Sequence, residues 1–294
     1  MIDQDSGRYS QRFLHFRYMK KTLFYFAFSI PVIVYVFILS IVPAGTAVYD
    51  SFISSKGVLS LANYEALPGL GIYSALIDTA IVSIGALVIQ LFFALWVASI
   101  MVKPFRGNKA FSIIAIIPFG VSTVVSAFVF SLIFQAVGGF ANSFLNIFGF
   151  HVNWFATKYS SLGVVMFSDF WKNTPLIALI LYGGLSSISP SIFEAASVDG
   201  AGSFNRFIHI TLPNIAPLMA IALLVRGVSE FNIFALPLVI IGYTPKLMNT
   251  LIYENYSFLL TRPYSYAVAV VLLAIILVYA IVVLRLGGAS KYVQ

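Results

Sequence analysis

ALIDTAIVSIGALVIQLFFALWVASIM, residues 75–101, decides what kind of molecule this is. A helix rises about 1.5 Å per residue, so roughly 20 apolar residues cross the hydrocarbon core of a bilayer, and this run exceeds that length. Five more runs of the same character lie at 23–42, 111–137, 162–185, 215–241 and 266–284, with charges, glycines and prolines collected between them. Transmembrane barrels show short alternating segments instead. The sequence therefore specifies an all-α integral membrane protein with six transmembrane helices. Composition agrees, since 60% of the 294 residues are hydrophobic and 9% charged, against about a quarter charged in soluble domains.

The first 22 residues are polar and basic, and the run after them is long enough to stay in the membrane as an anchor. With the N-terminus in the cytoplasm, the inside segments hold Arg8, Arg12, Arg17, Lys20, Lys21, Lys103, Arg106, Lys109, Arg206, Arg285 and Lys291. The outside segments hold only Lys56, Lys158, Lys246 and Arg262. That asymmetry places both termini in the cytoplasm. The net charge of +7 is then topological, and nucleic acid is not an expected partner. Residues 1–22 also carry Tyr9, Phe13, Phe16 and Tyr18. They either lie on anionic membrane lipid or form a solvated tail that sets topology. The expected organisation is a basic cytoplasmic segment 1–22, one six-helix domain 23–286, and a cytoplasmic tail 287–294. Without cysteine there are no disulfides and no thiolate chemistry.

Only one inside loop, 187–213, is both long and patterned. It contains EAASVDGAGSFNRFIHITLP, residues 194–213. Ser191 and Glu194 have the spacing of a capping box, which predicts a helix starting there. Ala195, Ala196 and Gly200 give that helix a slim face, and Gly200 and Gly202 end it within about two turns. Phe204, Phe207, Ile208 and Ile210 are expected to pack on the inner ends of the spans, and Pro213 opens the next one. On its own terms this is either a linker or a docking element.

Seven positions separate the two readings. Glu194, Ala195, Ala196, Gly200, Ile210, Leu212 and Pro213 stand at the spacing of the cytoplasmic loop signature of permease subunits of ATP-binding-cassette importers, and the chain resembles that family. Asp199, Ala201 and Phe207 are similar to its carbohydrate-uptake, maltose-type branch. Ser51 with Phe52, Leu61 to Tyr64, Phe105 to Gly107, Ile117 with Pro118, and Phe170 to Lys172 fit the same branch. Ser60 and Ala62 depart slightly, and the loop from Ile241 to Pro245 lacks the branch's Gly-Gly-Pro.

The resemblance implies a permease subunit of a sugar importer in the cell membrane, forming half of the translocation path by alternating access. It implies that the loop is a coupling helix, with Glu194, Ala195, Ala196, Asp199, Gly200 and Arg206 meeting a cytoplasmic ATPase. The implied partners are two ATP-binding cassette subunits, a second homologous permease and an extracytoplasmic sugar-binding protein. ATP and magnesium would be bound by the ATPases, because this chain has no phosphate-binding loop of its own.

Charges inside spans are costly and usually face a bundle interior or a wet cavity. Asp169 and Lys172, and Arg226 and Glu230, have i,i+3 and i,i+4 spacing, so each pair can satisfy itself on one helix face or pair across helices. They form either a structural salt-bridge cluster or part of the solute path. A sugar site needs placed polar groups and an aromatic ring, and Asp169, Trp171, Asn173, Arg226, Glu230, Phe231, Asn232 and Phe234 supply them. Ser122, Ser126 and Gln135 are weaker path candidates. Pro31, Pro118, Pro175 and Pro237 fall inside the proposed spans, where each removes a backbone donor. His15, His151 and His209 fall in different places, and no catalytic motif or metal-binding set is visible, so the chain is not expected to be an enzyme. The rival function is an ion-gradient-driven secondary transporter using Asp169 and Glu230, although such proteins generally carry inverted repeats that are not seen here.

Overall fold

The computed structural model describes Tyr25, residues 28–54 and residues 56–286. The expected segments 1–22 and 287–294 lie outside these. The main helices are α1 (Phe28–Ser51), α2 (Ile72–Met101), α3 (Asn108–Gly120), α4 (Thr123–Ile133), α5 (Lys158–Ser186), α6 (Pro190–Val198), α7 (Ser203–Phe231), α8 (Ala235–Ile241), α9 (Met248–Ser257) and α10 (Arg262–Leu286). Among the described residues there is no strand, only an isolated bridge between Ile53 and Leu59. Among the described residues five helices, α1, α2, α5, α7 and α10, are long and apolar enough to cross a membrane, and the bent pair α3–α4 is the sixth apolar unit.

The centre is the pair α2–α5, the most extensively packed in the chain, with α7 lying against both. Close approach follows from small side chains, because in lipid helices associate by packing and not by expelling water. Ala94 and Ala98 of α2 and Ala178 of α5 are buried together with Ile177, Leu181 and Ile215. At Gly184 a Cβ would lie 2.6 Å from Leu218 Cδ1, so a larger residue there would have to displace the tip of that leucine where α5 and α7 meet. A second cluster joins α2, α9 and α10 through Ala75, Met248, Leu251 and Leu272, and the Met248 amide donates to Thr79 Oγ1 at 2.9 Å. α1 stands at the periphery, where its Ile, Val and Leu side chains are exposed as lipid-facing side chains are.

Two expected spans are broken. The run 111–137 is not one helix: α3 and α4 meet at 95° across Val121 and Ser122. Pro118 in the last turn of α3 removes a donor and crowds the preceding carbonyl, and Val121 and Ser122 then take extended ψ values of 137° and 138°. The run 215–241 stops at Phe231 and resumes at Ala235, so Pro237 sits in the first turn of α8, where proline is tolerated, and not in mid-span. The first span runs on past the expected end at 42 to Ser51, because Pro43 falls in a first-turn position after a wide π turn at Phe37–Ile41 and the helix continues.

Candidate functional site

Polar side chains from the three central helices converge inside the bundle. Gln90 of α2 donates through Nε2 to Asp169 Oδ2 of α5 at 2.5 Å and to Glu230 Oε1 of α7 at 2.9 Å. Its Oε1 accepts from Arg226 Nε at 3.3 Å. Arg226 Nη2 lies 3.3 and 3.1 Å from the two oxygens of Asp169, and the same nitrogen contacts Glu230 Oε1 one turn along α7. Asn173 Nδ2 donates to Asp169 Oδ1 at 2.7 Å, and Ser83 Oγ donates to the Glu230 carbonyl at 3.1 Å. Glu230 is fully buried, and its Oε2 has no hydrogen-bond partner among the described residues. Burying a charge is tolerated when it is paired and hydrogen-bonded, and here one guanidinium and two amides, of Gln90 and Asn173, serve two carboxylates across three helices.

The eight sequence-derived path residues separate. Asp169, Asn173, Arg226 and Glu230 form the network. Trp171 points elsewhere on α5, half-exposed, with its ring edge-to-face on Phe130 at 5.5 Å. Phe231 is buried in the apolar cluster against Tyr279. Asn232 donates back to the Val228 carbonyl in the break after α7, and Phe234 packs on Tyr253 of α9 at 5.2 Å. The Asp169–Lys172 pair does not form: the Lys172 ammonium lies 5.7 Å from the Phe119 ring centroid instead.

Gln90 and Asp78 were missed. Asp78 is the one acid and Gln90 the one amide in the long apolar run of α2, and that isolation is the available signal, since lipid does not tolerate an unpaired amide or acid. Asp78, fully buried, pairs with Lys158 at 2.6 Å at the start of α5.

The loop between α5 and α7 is built differently from its sequence expectation. α6 begins at Pro190 with Ser189 as N-cap, and no side-chain cap is made. Ser191 therefore lies inside the first turn, its hydroxyl 2.8 Å from that of Ser189, and the Ser191–Glu194 box is not formed. The C-terminus is strongly specified: the Ala201 amide donates to the Ala196 carbonyl at 2.9 Å and Gly200 to Ser197 at 3.2 Å, with Gly200 at φ +74°. That is a Schellman ending, which needs the left-handed conformation glycine adopts freely. Arg206 then clasps the two halves of the loop, donating to Ser197 Oγ at 2.7 Å and to Ser203 Oγ at 3.4 Å. Glu194, Ala195, Asp199 and Gly200 are exposed and Ala196 is partly so. Phe204, expected to pack on the spans, is 79% exposed and Val198 88%. The loop turns apolar surface outward because its own helices leave nothing there to cover it.

The profile of the family described as binding-protein-dependent transport system inner membrane component matches residues 90–288. The trehalose/maltose transport system permease protein MalF of Thermococcus litoralis is 30% identical over 242 residues, covering 81% of this chain and 82% of that one. The sulfoquinovosyl glycerol transport system permease protein SmoG of Agrobacterium fabrum is 28% identical over 273 residues, covering 87% of each. A chain of a bacterial ABC transporter involved in the import of the acidic polysaccharide alginate superposes with a TM-score of 0.79 at 19% identity, over 95% of this chain and 99% of that one. That last likeness is one of fold.

Proposed function

Since the chain belongs to the inner membrane components of binding-protein-dependent transport systems, we propose that it forms half of the membrane path of an ATP-driven importer for a carbohydrate or carbohydrate-derived solute. As such a component it is a multi-pass permease subunit and not an enzyme. The solute class rests on the names of its relatives, which carry trehalose or maltose and sulfoquinovosyl glycerol. The ion-gradient alternative has no support from that membership, and its two acids are held by Arg226, Gln90 and Asn173.

The observation that carries the coupling role is the exposed loop centred on α6. A short helix with no buried residue, a glycine-specified ending and outward Val198 and Phe204 is a surface built to be covered. Its occupant is one of two ATPase subunits, which bind ATP and magnesium. Ala195 and Ala196 allow close approach, Glu194 and Asp199 sit at the wet rim, and Arg206 keeps the two halves moving as one body. ATP binding draws the paired loops together, the central helices of this subunit and of a second permease open the path outward to a sugar-binding protein, and hydrolysis resets them. The network at Asp169, Arg226 and Glu230 ties α2, α5 and α7 so that they move together.

The test is co-expression with the ATPase and second permease. Gly200→Trp puts a bulky side chain at a left-handed position on the docking surface. The variant should remain in the membrane and lose ATPase co-purification, and normal recovery of the ATPase would remove the loop from the coupling interface. Dependence of uptake on ATP, unaffected by a proton ionophore, separates the importer from a gradient-driven carrier.

A further inference from the structure

The break between α3 and α4 collects amide donors without hydrogen-bond partners among the described residues. α4 opens at Ser122 without a side-chain cap, and its first intrahelical bond runs from the Ser126 amide to the Ser122 carbonyl at 2.9 Å. The amides of Thr123, Val124 and Val125 therefore have no carbonyl behind them to bond. In water this costs little, but inside a membrane an uncapped helix N-terminus is a positive end looking for an anion.

Two buried side chains point to the same need. Ser126, 1% exposed, lies one turn into α4, and its Oγ has no hydrogen-bond partner among the described residues. Lys172, 7% exposed, makes no hydrogen bond or ion pair among the described residues. Asp169, one turn before Lys172, has both oxygens engaged by Arg226, Gln90 and Asn173. The ammonium instead sits over Phe119, in the last turn of α3. Phe119 is three residues ahead of Ser122, at most about 11 Å of chain. The depths agree, since Lys172 stands about 21 Å from either end of α5 and Phe119 about 17 Å from the cytoplasmic end of α3 at 1.5 Å per residue. The site is open: Ser122 is exposed, and a Cβ at Gly120 would meet nothing within 4 Å.

We infer that Lys172 and the uncapped start of α4 form a binding site for an anionic group, a carboxylate, sulfonate or phosphate, on the transported solute. This rests on the importer reading above and narrows it from carbohydrates in general to acidic ones. The lysine supplies the charge, the α4 amides and the Ser126 hydroxyl supply directed donors, and Phe119 holds the ammonium off the lipid.

The experiment measures equilibrium binding to the assembled transporter of two probes that differ only at C6, methyl glucuronide and methyl glucoside. The glucuronide should bind at least about tenfold more tightly, as a charge-assisted hydrogen bond requires. Lys172→Met should abolish that preference and Lys172→Arg should keep it. Equal binding of the two probes, binding of neither, or an unchanged preference in Lys172→Met overturns the inference. If Lys172→Met does not assemble, Ser122→Asp decides. It places its own carboxylate at the α4 N-terminus, a favourable N-cap, and should block the glucuronide while leaving the fold intact; glucuronide binding as in the unmodified chain overturns the inference. ATPase co-purification in the same preparations keeps the two readings apart: its absence from the unmodified chain sinks the importer, whereas lost probe discrimination with the ATPase in place sinks only the anion site.

Discussion

Arg226 reaches Asp169 with a single nitrogen, Nη2, 3.3 and 3.1 Å from the two carboxylate oxygens, while its Nε is engaged 3.3 Å away by Gln90. One guanidinium thus faces two buried acids, and Gln90 bridges them while Glu230 Oε2 stays without a hydrogen bond among the described residues. The energetics of such a set are asymmetric. An intact buried pair adds little net stability, but removing one member strands a charge where water cannot reach it.

Arg226→Met should lower the stability of the detergent-solubilised chain by about 3–5 kcal/mol. Asp169→Asn and Glu230→Gln added to it should recover part of that loss, because neutral amides need no counter-charge. Thermal unfolding of the single and triple variants checks this, and a triple variant no more stable than the single would mean that the charges are not what the arginine supports.

Gln90→Leu keeps the volume and removes both amide bridges, so it should cost about 1–3 kcal/mol by leaving the buried Arg226 Nε unpaired and each acid with one donor fewer. Gln90→Glu should cost more, since a third acid enters a site with one guanidinium. The order of the two melting temperatures is the readout.

Most of the architecture was legible because a membrane imposes one rule: every backbone group must be satisfied within its segment. Long apolar runs such as 75–101 therefore had to be helices. The failures lie where that rule is locally suspended. The 95° bend after Pro118 and the gap from Asn232 to Phe234 each carry a single polar residue, Ser122 or Asn232, among apolar ones, so hydropathy averaged over a span passed over them. Ser191 and Glu194 satisfied the capping pattern, but Pro190 at the first helical position moved the start of the helix by a residue or two. The acids and Arg226 were visible as charges in greasy runs; that Gln90 joins them depends on which faces of α2, α5 and α7 meet, and no single run contains that information.

At the other end of the bundle, Lys158→Met should leave the fully buried Asp78 carboxylate with only Ser74 Oγ, 3.4 Å away, as a partner. The expected loss is about 1–3 kcal/mol. Asp78→Asn in the same background should restore most of it, and a double-mutant cycle on unfolding temperature measures the coupling. A coupling near zero would place the pair among ordinary surface contacts.

The packing of α7 on α10 gives a prediction that does not involve charge. A Cβ at Gly227 would lie 2.0 Å from Tyr279 Oη and 2.2 Å from its ring, and that hydroxyl donates to the Leu223 carbonyl at 2.7 Å. Gly227→Ala should therefore be more damaging than its one added methyl suggests, in the range of about 1–3 kcal/mol for overpacking. Tyr279→Leu should relieve it even though the tyrosine change alone is unfavourable. Monodispersity and thermal stability of the two single variants and the double variant test the pairing.

The cytoplasmic loop separates its parts by what each does mechanically. Ser191→Ala should change nothing, because no cap bond is made by that residue. Gly200→Val should strain the left-handed turn by about 1–2 kcal/mol and weaken recovery of the ATPase. Arg206→Ala cuts the links to Ser197 and Ser203 while leaving Glu194, Ala195 and Ala196 of α6 unchanged, so the ATPase should still co-purify while solute-stimulated hydrolysis falls. The contrast between Gly200 and Arg206 is what matters, since one shapes the docking surface and the other stiffens it. If both variants lose the ATPase equally, the clasp belongs to docking and the two halves of the loop do not transmit motion through Arg206.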